Sequence, residues 1–386
     1  MKSSYKKLGN YIQIVNKRDT DKTIDKLLGV SIRKVLITSI ANIIGTDMST
    51  YKIIQKNQFA YGPVTSRNGD KISVALLDEY EEAIVSQAYT VFEVVDKNEL
   101  LPEYLMMWFR RPEFDRYARF KSHGSAREIF GWDEMCDTEL PIPSPEKQQE
   151  IVREYNVIQN RIALNNQLIT KLEETAQAIY KQWFVDFEFP DVNGKAYKSN
   201  GGEMIESELG DIPMGWNIGT LENLYKFQYG LGNTNPNNNG KYPIYGAGGV
   251  IGGYNKFNSE DAPVIGHMGA YCGAVVFAFG KHYVTYNGVI CIAISKKHKW
   301  FSYLSLLSKD LMSNTRGSSQ PFVSYDMLYE IQIIIPKEEF ANEFDSLVNK
   351  LFEIINLKLL ENQKLEELRE LLLAKMTKVE TEKEIV

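Results

Sequence analysis

The sequence predicts an α+β protein. Two tandem globular domains alternate with two long helices that pair antiparallel as a coiled coil, the halves related by an internal pseudo-twofold. Three observations carry this prediction. One order of parts occurs twice: Gly124-Ser125, Trp132-Asp133 and Pro143 precede a long helical pattern. Gly317-Ser318, Tyr325-Asp326 and Pro336 precede another, 193 residues later. A fixed repeat sets the architecture before any local motif is weighed. Both helical patterns hold a seven-residue seam over four or more heptads. At 386 residues and 44% apolar, the chain suits two domains of about 150 residues better than one core.

The first domain is expected over 1–143. Runs at 35–37, 72–76 and 89–95 read as strands, and 102–120, opened by Pro102, reads as one helix. Residues 144–190 form the central helix and 191–212 a linker. The second domain spans 213–336. It is rich in glycine and asparagine at first, then strand-like at 263–266, 274–279 and 289–294, with a helix at about 300–312. The second long helix covers 337–378, and 379–386 is a tail.

In the central helix Tyr155, Ile162, Ile169, Ala176 and Trp183 alternate with Ile151, Ile158, Asn165, Leu172 and Ile179. In the last helix Phe344, Leu351, Lys358, Leu365 and Leu372 alternate with Phe340, Leu347, Ile354, Glu361 and Leu368. The frames superimpose at an offset of 196, which puts Asn165 and Glu361 at one seam point and Leu172 on Leu368. A polar seam residue costs stability and sets register and partner choice. The cheapest partner for each helix is the other. A helix of about 38 residues is about 57 Å long. That length can hold two heads about one DNA turn, roughly 34 Å, or more apart.

Composition narrows the function. No apolar run approaches the roughly 18–20 residues that cross a bilayer, and the opening residues lack the apolar stretch of a signal peptide. Cys136, Cys272 and Cys291 are odd in number and form no Cys-x-x-Cys pair. A reducing cytoplasm is expected, with the three thiols as small buried residues. The net charge of −6 argues against a nucleic-acid partner, but its distribution softens that. Residues 1–143 hold 20 cations and 20 anions, and 215–336 hold nine cations against six anions. The acid sits on the helices and linker.

Common catalytic patterns are missing. There is no P-loop, and the run Gly246–Gly253 misses the dinucleotide fingerprint and suits a tight turn. His123, His267, His282 and His298 are scattered without metal-ligand spacing. The amino-methyltransferase tetrapeptide is missing, and no acid stands two residues before a lysine, as many Mg²⁺ nucleases require. No catalytic residue and no metal are assigned.

What remains suits DNA reading. Loops 121–127 and 314–320 hold equivalent places in the two copies yet differ in sequence. Arginine can pair with guanine, glutamine with adenine, and serine with bases or phosphates. Candidate DNA-contacting residues are Arg67, Lys121, Ser122 and Arg127 in the first head. In the second they are Tyr245, His267, Asn287, Arg316, Ser319 and Gln320. The aromatic runs Phe59-Ala60-Tyr61 and Tyr283–Asn287 suit either such loops or core.

The chain resembles the DNA-specificity subunits of type I restriction–modification enzymes over nearly its whole length. The most specific carrier is Ala176-Gln177-Ala178-Ile179-Tyr180-Lys181-Gln182-Trp183-Phe184-Val185-Asp186-Phe187, similar to the end of that family's central conserved region. Pro213-Met214-Gly215-Trp216 resembles the start of a recognition domain, as does Leu28-Gly29-Val30-Ser31-Ile32 in the first half. Leu140-Pro141-Ile142-Pro143 with Glu146-Lys147-Gln148-Gln149 resembles the join to the helix, and Ile333-Ile334-Ile335-Pro336 its weaker copy. The second helix lacks the Trp-Phe ending.

The resemblance implies a non-catalytic cytoplasmic subunit whose two heads read one half each of a bipartite, asymmetric double-stranded DNA site. It implies that the paired helices set the spacer and dock two methyltransferase subunits, with restriction and motor subunits added. S-adenosylmethionine, ATP and Mg²⁺ would sit on those partners and none on this chain. The alternative is a two-headed adaptor that binds proteins or glycans across a coiled-coil spacer.

Overall fold

The computed structural model describes residues 5–21, 23–39, 47–65, 71–124, 128–232, 240–313 and 321–378. Its elements fall into two units, one of residues 1–164 with 361–386, the other of residues 165–360.

The first unit carries β1 (Tyr5–Lys7), β2 (Ile12–Val15), β3 (Leu27–Val30), β4 (Leu36–Thr38), β5 (Lys52–Gln55), β6 (Gln58–Gly62), β7 (Ser73–Leu76), β8 (Glu82–Val85) and β9 (Thr90–Val94). Among the described residues there are two four-stranded sheets, β2-β9-β6-β7 and β4-β3-β8-β5. Alternation along β6 and β9 buries both faces of the first sheet. Ala60 and Val91 pack with Leu28, Ile54, Ala83 and Val85 of the second sheet. Phe59, Tyr61, Phe92 and Val94 point the other way. They meet α1 (Pro102–Arg110), α2 (Pro112–Lys121) and α3 (Trp132–Cys136). The run Phe59-Ala60-Tyr61 is therefore core strand and not a reading loop, with Phe59 stacked on Phe92 at 4.8 Å.

The single helix expected over 102–120 is two helices. A residue before proline is driven to extended backbone, and proline then suits a helix start. Arg111 accordingly sits at φ −68°, ψ 136° between α1 and α2. After α3, β10 (Glu139–Pro141) pairs antiparallel with β1 and leads into α4 (Pro145–Phe184).

The second unit carries β11 (Met204–Ile205), β12 (Ile212–Pro213), β13 (Asn217–Thr220), β14 (Tyr225–Tyr229), β15 (Tyr242–Gly246), β16 (Gly249–Tyr254), β17 (Ser259–Gly266), β18 (Val275–Val284) and β19 (Gly288–Ala293). Helices α5 (Lys299–Leu307) and α6 (Tyr325–Tyr329), strand β20 (Gln332–Ile335) and helix α7 (Glu338–Lys375) follow. Among the described residues one six-stranded sheet runs β14-β19-β17-β18-β15-β16, with β15 and β18 parallel. The glycine run makes the β15–β16 hairpin. Gly246 pairs with Gly249 across a two-residue turn, and Gly249 sits at φ +110°. Helix α5 is shorter than expected, ending at Leu307.

The framing elements repeat although the sheets differ. Helices α3 and α6, strands β10 and β20, and the starts of α4 and α7 are each 193 residues apart. Strand β1 pairs with β10 as β13 pairs with β20. Just after them, Leu8 N donates to Thr138 O at 2.8 Å and Leu221 N to Ile331 O at 3.0 Å. The counterpart of the second head's opening is thus Tyr5–Asn10. Leu28–Ile32, matched to Pro213–Trp216 on sequence, instead contributes the inner strand β3 and the turn after it. Pro213–Trp216 itself is a turn, closed by Trp216 N donating to Pro213 O at 3.0 Å, with Gly215 at φ +81°.

In each unit α4 and α7 pack antiparallel. In the first, Ile151 and Tyr155 pack with Leu373 and Met376. Arg369 Nη1 donates to Gln159 Oε1 at 3.1 Å, and Arg161 Nε to Glu361 Oε1 at 2.6 Å. In the second, Tyr180 and Trp183 lie 6.1 and 5.8 Å from the Phe344 ring. Helix α4 follows its expected frame: Ile151, Tyr155, Ile158, Asn165, Ile169, Ala176 and Trp183 are buried, Ile162 and Leu172 partly so.

Helix α7 does not follow its expected frame. It buries Ala341, Phe344, Val348, Ile355, Asn362, Leu373 and Met376, while Leu347, Ile354 and Leu368 are 49%, 39% and 50% exposed. The apolar pairs Leu347-Val348 and Ile354-Ile355 make steps of three and of four equally apolar, so pattern cannot choose between them. The helices therefore superimpose at 193, like the heads, and not at 196. Ile151 matches Phe344, Tyr155 matches Val348 and Trp183 matches Met376. Asn165 matches the half-buried Lys358 rather than Glu361, which pairs with Arg161.

Candidate nucleic-acid interface

In the first head three chain segments are knotted beside the end of α2. Thr65 N donates to Glu128 O at 2.9 Å, and Phe130 N to Pro63 O at 2.9 Å. His123 and Ile129 exchange backbone hydrogen bonds of 3.0 and 2.9 Å. Ser122 Oγ donates to Ala118 O at 2.7 Å and accepts from Thr65 Oγ1 at 2.9 Å. Its hydroxyl proton is therefore already committed inside the knot. Lys121, the last residue of α2, is half-buried beside it. Beneath, Phe130 meets the rings of Tyr61, Phe114 and Tyr117 at 6.4, 6.1 and 6.1 Å. Burial pushes the Tyr61 phenol well above its ordinary range. The structure joins Lys121 and Ser122; Arg67 and Arg127 lie outside the described residues.

In the second head the candidates cluster at the end of β17 and the start of β19. His267 N donates to Asn287 O at 2.8 Å. The His267 Nδ1 lies 2.8 Å from Val323 O, which can only accept, so Nδ1 carries a proton and donates. The imidazole meets the Tyr229 ring at 4.5 Å, and Tyr229 stacks on Tyr325 at 4.0 Å. Tyr229 N donates to the Tyr325 hydroxyl. The repeated aromatic–acid pair thus begins a three-ring stack that ends on a candidate reader. Tyr245 O accepts from Thr285 N at 3.0 Å, two residues before Asn287. The ring of Tyr245 meets the buried His282 edge-on at 5.3 Å. Burial raises the Tyr245 phenol and lowers the His282 imidazole, which favours neutral forms of both.

Two glycines let the segments approach this closely. A Cβ on Gly230 would lie 2.1 Å from Thr285 O, and one on Gly266 would lie 2.0 Å from Tyr271 O. Tyr245, His267 and Asn287 are brought together, while Arg316, Ser319 and Gln320 lie outside the described residues. Within the run Tyr283–Asn287, the Tyr283 hydroxyl donates to Leu231 O at 3.0 Å, Thr285 is buried and Tyr286 is exposed.

Sequence reasoning missed Thr65, the Tyr229–Tyr325 stack, and the exposed Phe120, Tyr271, Met312 and Phe322. The stack joins residues roughly a hundred positions apart, so no local pattern could reveal it. Phe120 had a readable signal: it falls off the inward period of Phe114, Tyr117 and Ala118. Among the described residues no group of His, Cys, Asp or Glu could hold a metal ion, and no helix is long and apolar enough to cross a membrane.

Helix α7 also turns an apolar row away from α4. Leu347, Ile354 and Leu357 are exposed in the second unit, and Leu368 and Leu371 in the first. Within the second unit, Leu347, Ile354 and Leu357 follow steps of seven and three along a flank of α7, about 100° around the helix from the row that packs on α4.

Comparison with known proteins gives a consistent result. Residues 9–174 and 213–370 match the family model described as the type I restriction modification DNA specificity domain. The specificity subunit of the type I restriction enzyme MjaIX of Methanocaldococcus jannaschii is 25% identical over 315 residues, 73% of this chain and 70% of that one. The HindI specificity subunit of Haemophilus influenzae is 29% identical over 175 residues, 45% of this chain but only 37% of its own length. In fold, the chain is similar to the crystal structure of a type I restriction–modification S subunit from M. genitalium. The TM-score is 0.54 at 15% identity, over 99% of this chain and 96% of that one.

Proposed function

We propose a function from one premise: the chain belongs to the type I restriction modification DNA specificity family. It is a DNA-binding specificity subunit of a restriction–modification system. Each head reads one half of a bipartite, asymmetric site, and the helices set the unread spacer between the halves. The chain catalyses nothing. Methyltransferase subunits, two per chain, bring S-adenosylmethionine and the adenine chemistry, for which the target base must leave the stack. Restriction and motor subunits bring ATP and Mg²⁺.

One observation carries this reading. The elements that close each head recur at 193 residues and pair with the opening strand in the same way, while the sheets and loops they hold up are unlike. A common mount with two different faces suits two different half-sites. It does not suit an adaptor that binds one ligand twice. Selection from random-sequence duplex, with and without the methyltransferase subunit, tests the reading. Enrichment of two short fixed tracts separated by a constant unread gap is expected. Retention without any enriched sequence would refute it and favour the adaptor.

The exposed flank of α7 in the second unit supports methyltransferase docking, because Leu347, Ile354 and Leu357 leave apolar surface at helical spacing that a partner helix can cover. Ile354→Ser with Leu357→Ser is expected to reduce co-purifying methyltransferase about tenfold or more, since interface anchors contribute roughly 2 kcal/mol each. Melting temperature should barely move, because neither side chain is buried. Unchanged co-purification would move the docking face elsewhere.

A further inference from the structure

We propose that Phe120 in the first head and Met312 in the second are wedges that enter the base stack of the half-site each head reads. The proposal rests on the DNA-reading function above and adds the residues that deform the DNA.

Phe120 is 81% exposed on α2, whose inward row is Phe114 and Ala118. On the outward face it stands one turn from Arg116 and beside Arg119. Both arginines are held by exposed carboxylates, Glu113 and Glu128. Such surface pairs are weak and readily exchanged for phosphate. Ile129, hydrogen-bonded to His123 in the same knot, is also exposed. An apolar knob rimmed by cations, at the knot from which the reading loops leave, is complementary to a polyanion with an apolar interior.

Met312 in the second head is 60% exposed. At the repeat offset of 193 it falls on Arg119, one residue before Phe120, just ahead of the loop that matches 121–127. The two loops share little else, yet each opens on an exposed, large apolar side chain. Phenylalanine and methionine are among the residues that wedge between base steps. Unstacking is least unfavourable at pyrimidine–purine steps, so a wedge selects sequence at a step it never hydrogen-bonds.

The test uses the full chain with its methyltransferase subunit and the duplex selected from random sequence. 2-Aminopurine placed in turn along that duplex reports unstacking. Wild type is expected to raise fluorescence at one step in each half-site, at a position distinct from the target adenine that the methyltransferase flips. Phe120→Ala should abolish that wedge signal in one half-site only and weaken specific retention about tenfold, the order of one lost stacking contact. Phe120→Leu should keep part of the signal, and Met312→Ala should silence the other half-site. Wild-type fluorescence and retention in Phe120→Ala would overturn the proposal. So would loss of methyltransferase with the fluorescence intact, because the knob would then be a protein contact. If wild type selects no sequence at all, the DNA-reading function fails first and the wedges with it.

Discussion

Replacing Lys34 by methionine is expected to destabilise the first unit by about 3–5 kcal/mol, the usual effect of removing one partner of a buried ion pair. The turn after β3 puts Lys34 at φ +61°, closed by Lys34 N donating to Ser31 O at 2.8 Å. The side chain runs inward and is 5% exposed. Its ammonium meets Asp115 at 2.7 Å and donates to the Phe109 carbonyl. Asp115 also accepts from Ile72 N at 3.0 Å. One cation thus ties the β3–β4 turn to α1, α2 and the approach to β7. Without it the Asp115 carboxylate keeps one backbone donor in a dry setting.

The double variant Lys34→Met with Asp115→Leu should recover most of the loss, because two apolar groups of similar volume replace a buried pair at little cost. Denaturant melts and hydrogen exchange, followed separately in the two units, check this. A single variant as stable as wild type would sink it. A pH dependence follows as well. Burial, outweighing Asp115, holds the Lys34 ammonium below the ordinary lysine value of 10.5. Between that depressed value and the ordinary one the unfolded chain binds more protons. Wild-type stability should therefore rise with pH there, an increment the double variant lacks.

That latch was invisible in the sequence, and the reason is general to this chain. Lys34 and Asp115 are ordinary charged residues in ordinary segments, and only the fold brings them together. The repeat, the helices and the antiparallel pairing were legible because they rest on periods that survive in one dimension. The α1–α2 break is legible in Pro112, which drives Arg111 to extended backbone. The frame of α7 was not, because Leu347-Val348 and Ile354-Ile355 satisfy both readings, and only packing against α4 decides between them. At the interface, His267 and Asn287 could be named for their chemistry. Their adjacency depends on β17 lying beside β19, and the bond from Ser122 Oγ to Ala118 O depends on where α2 ends.

Phe344→Ala is expected to destabilise the second unit by about 3–5 kcal/mol, and its neighbours make that number a test of register. The Phe344 ring is fully buried where α7 meets the end of α4. It lies 5.0 Å from Phe184 and 5.8 Å from Trp183, residues of the motif that closes the central helix. The same cluster holds Phe301 of α5 and Trp216 of the head's opening turn. One residue later, the Asp345 carboxylate accepts from Trp300 N at 3.0 Å and Phe301 N at 2.8 Å, so α7 caps α5. The cavity would therefore loosen the seating of the head as well as the coil. Val348→Ala should cost about 1–2 kcal/mol as a buried truncation, while Leu347→Ala, its exposed neighbour, should cost within about 0.5 kcal/mol. Thermal melts of the three variants read the frame directly. Were Leu347→Ala to cost more than Val348→Ala, the seam would run through Leu347, Ile354 and Leu368, and the offset between the helices would return to 196.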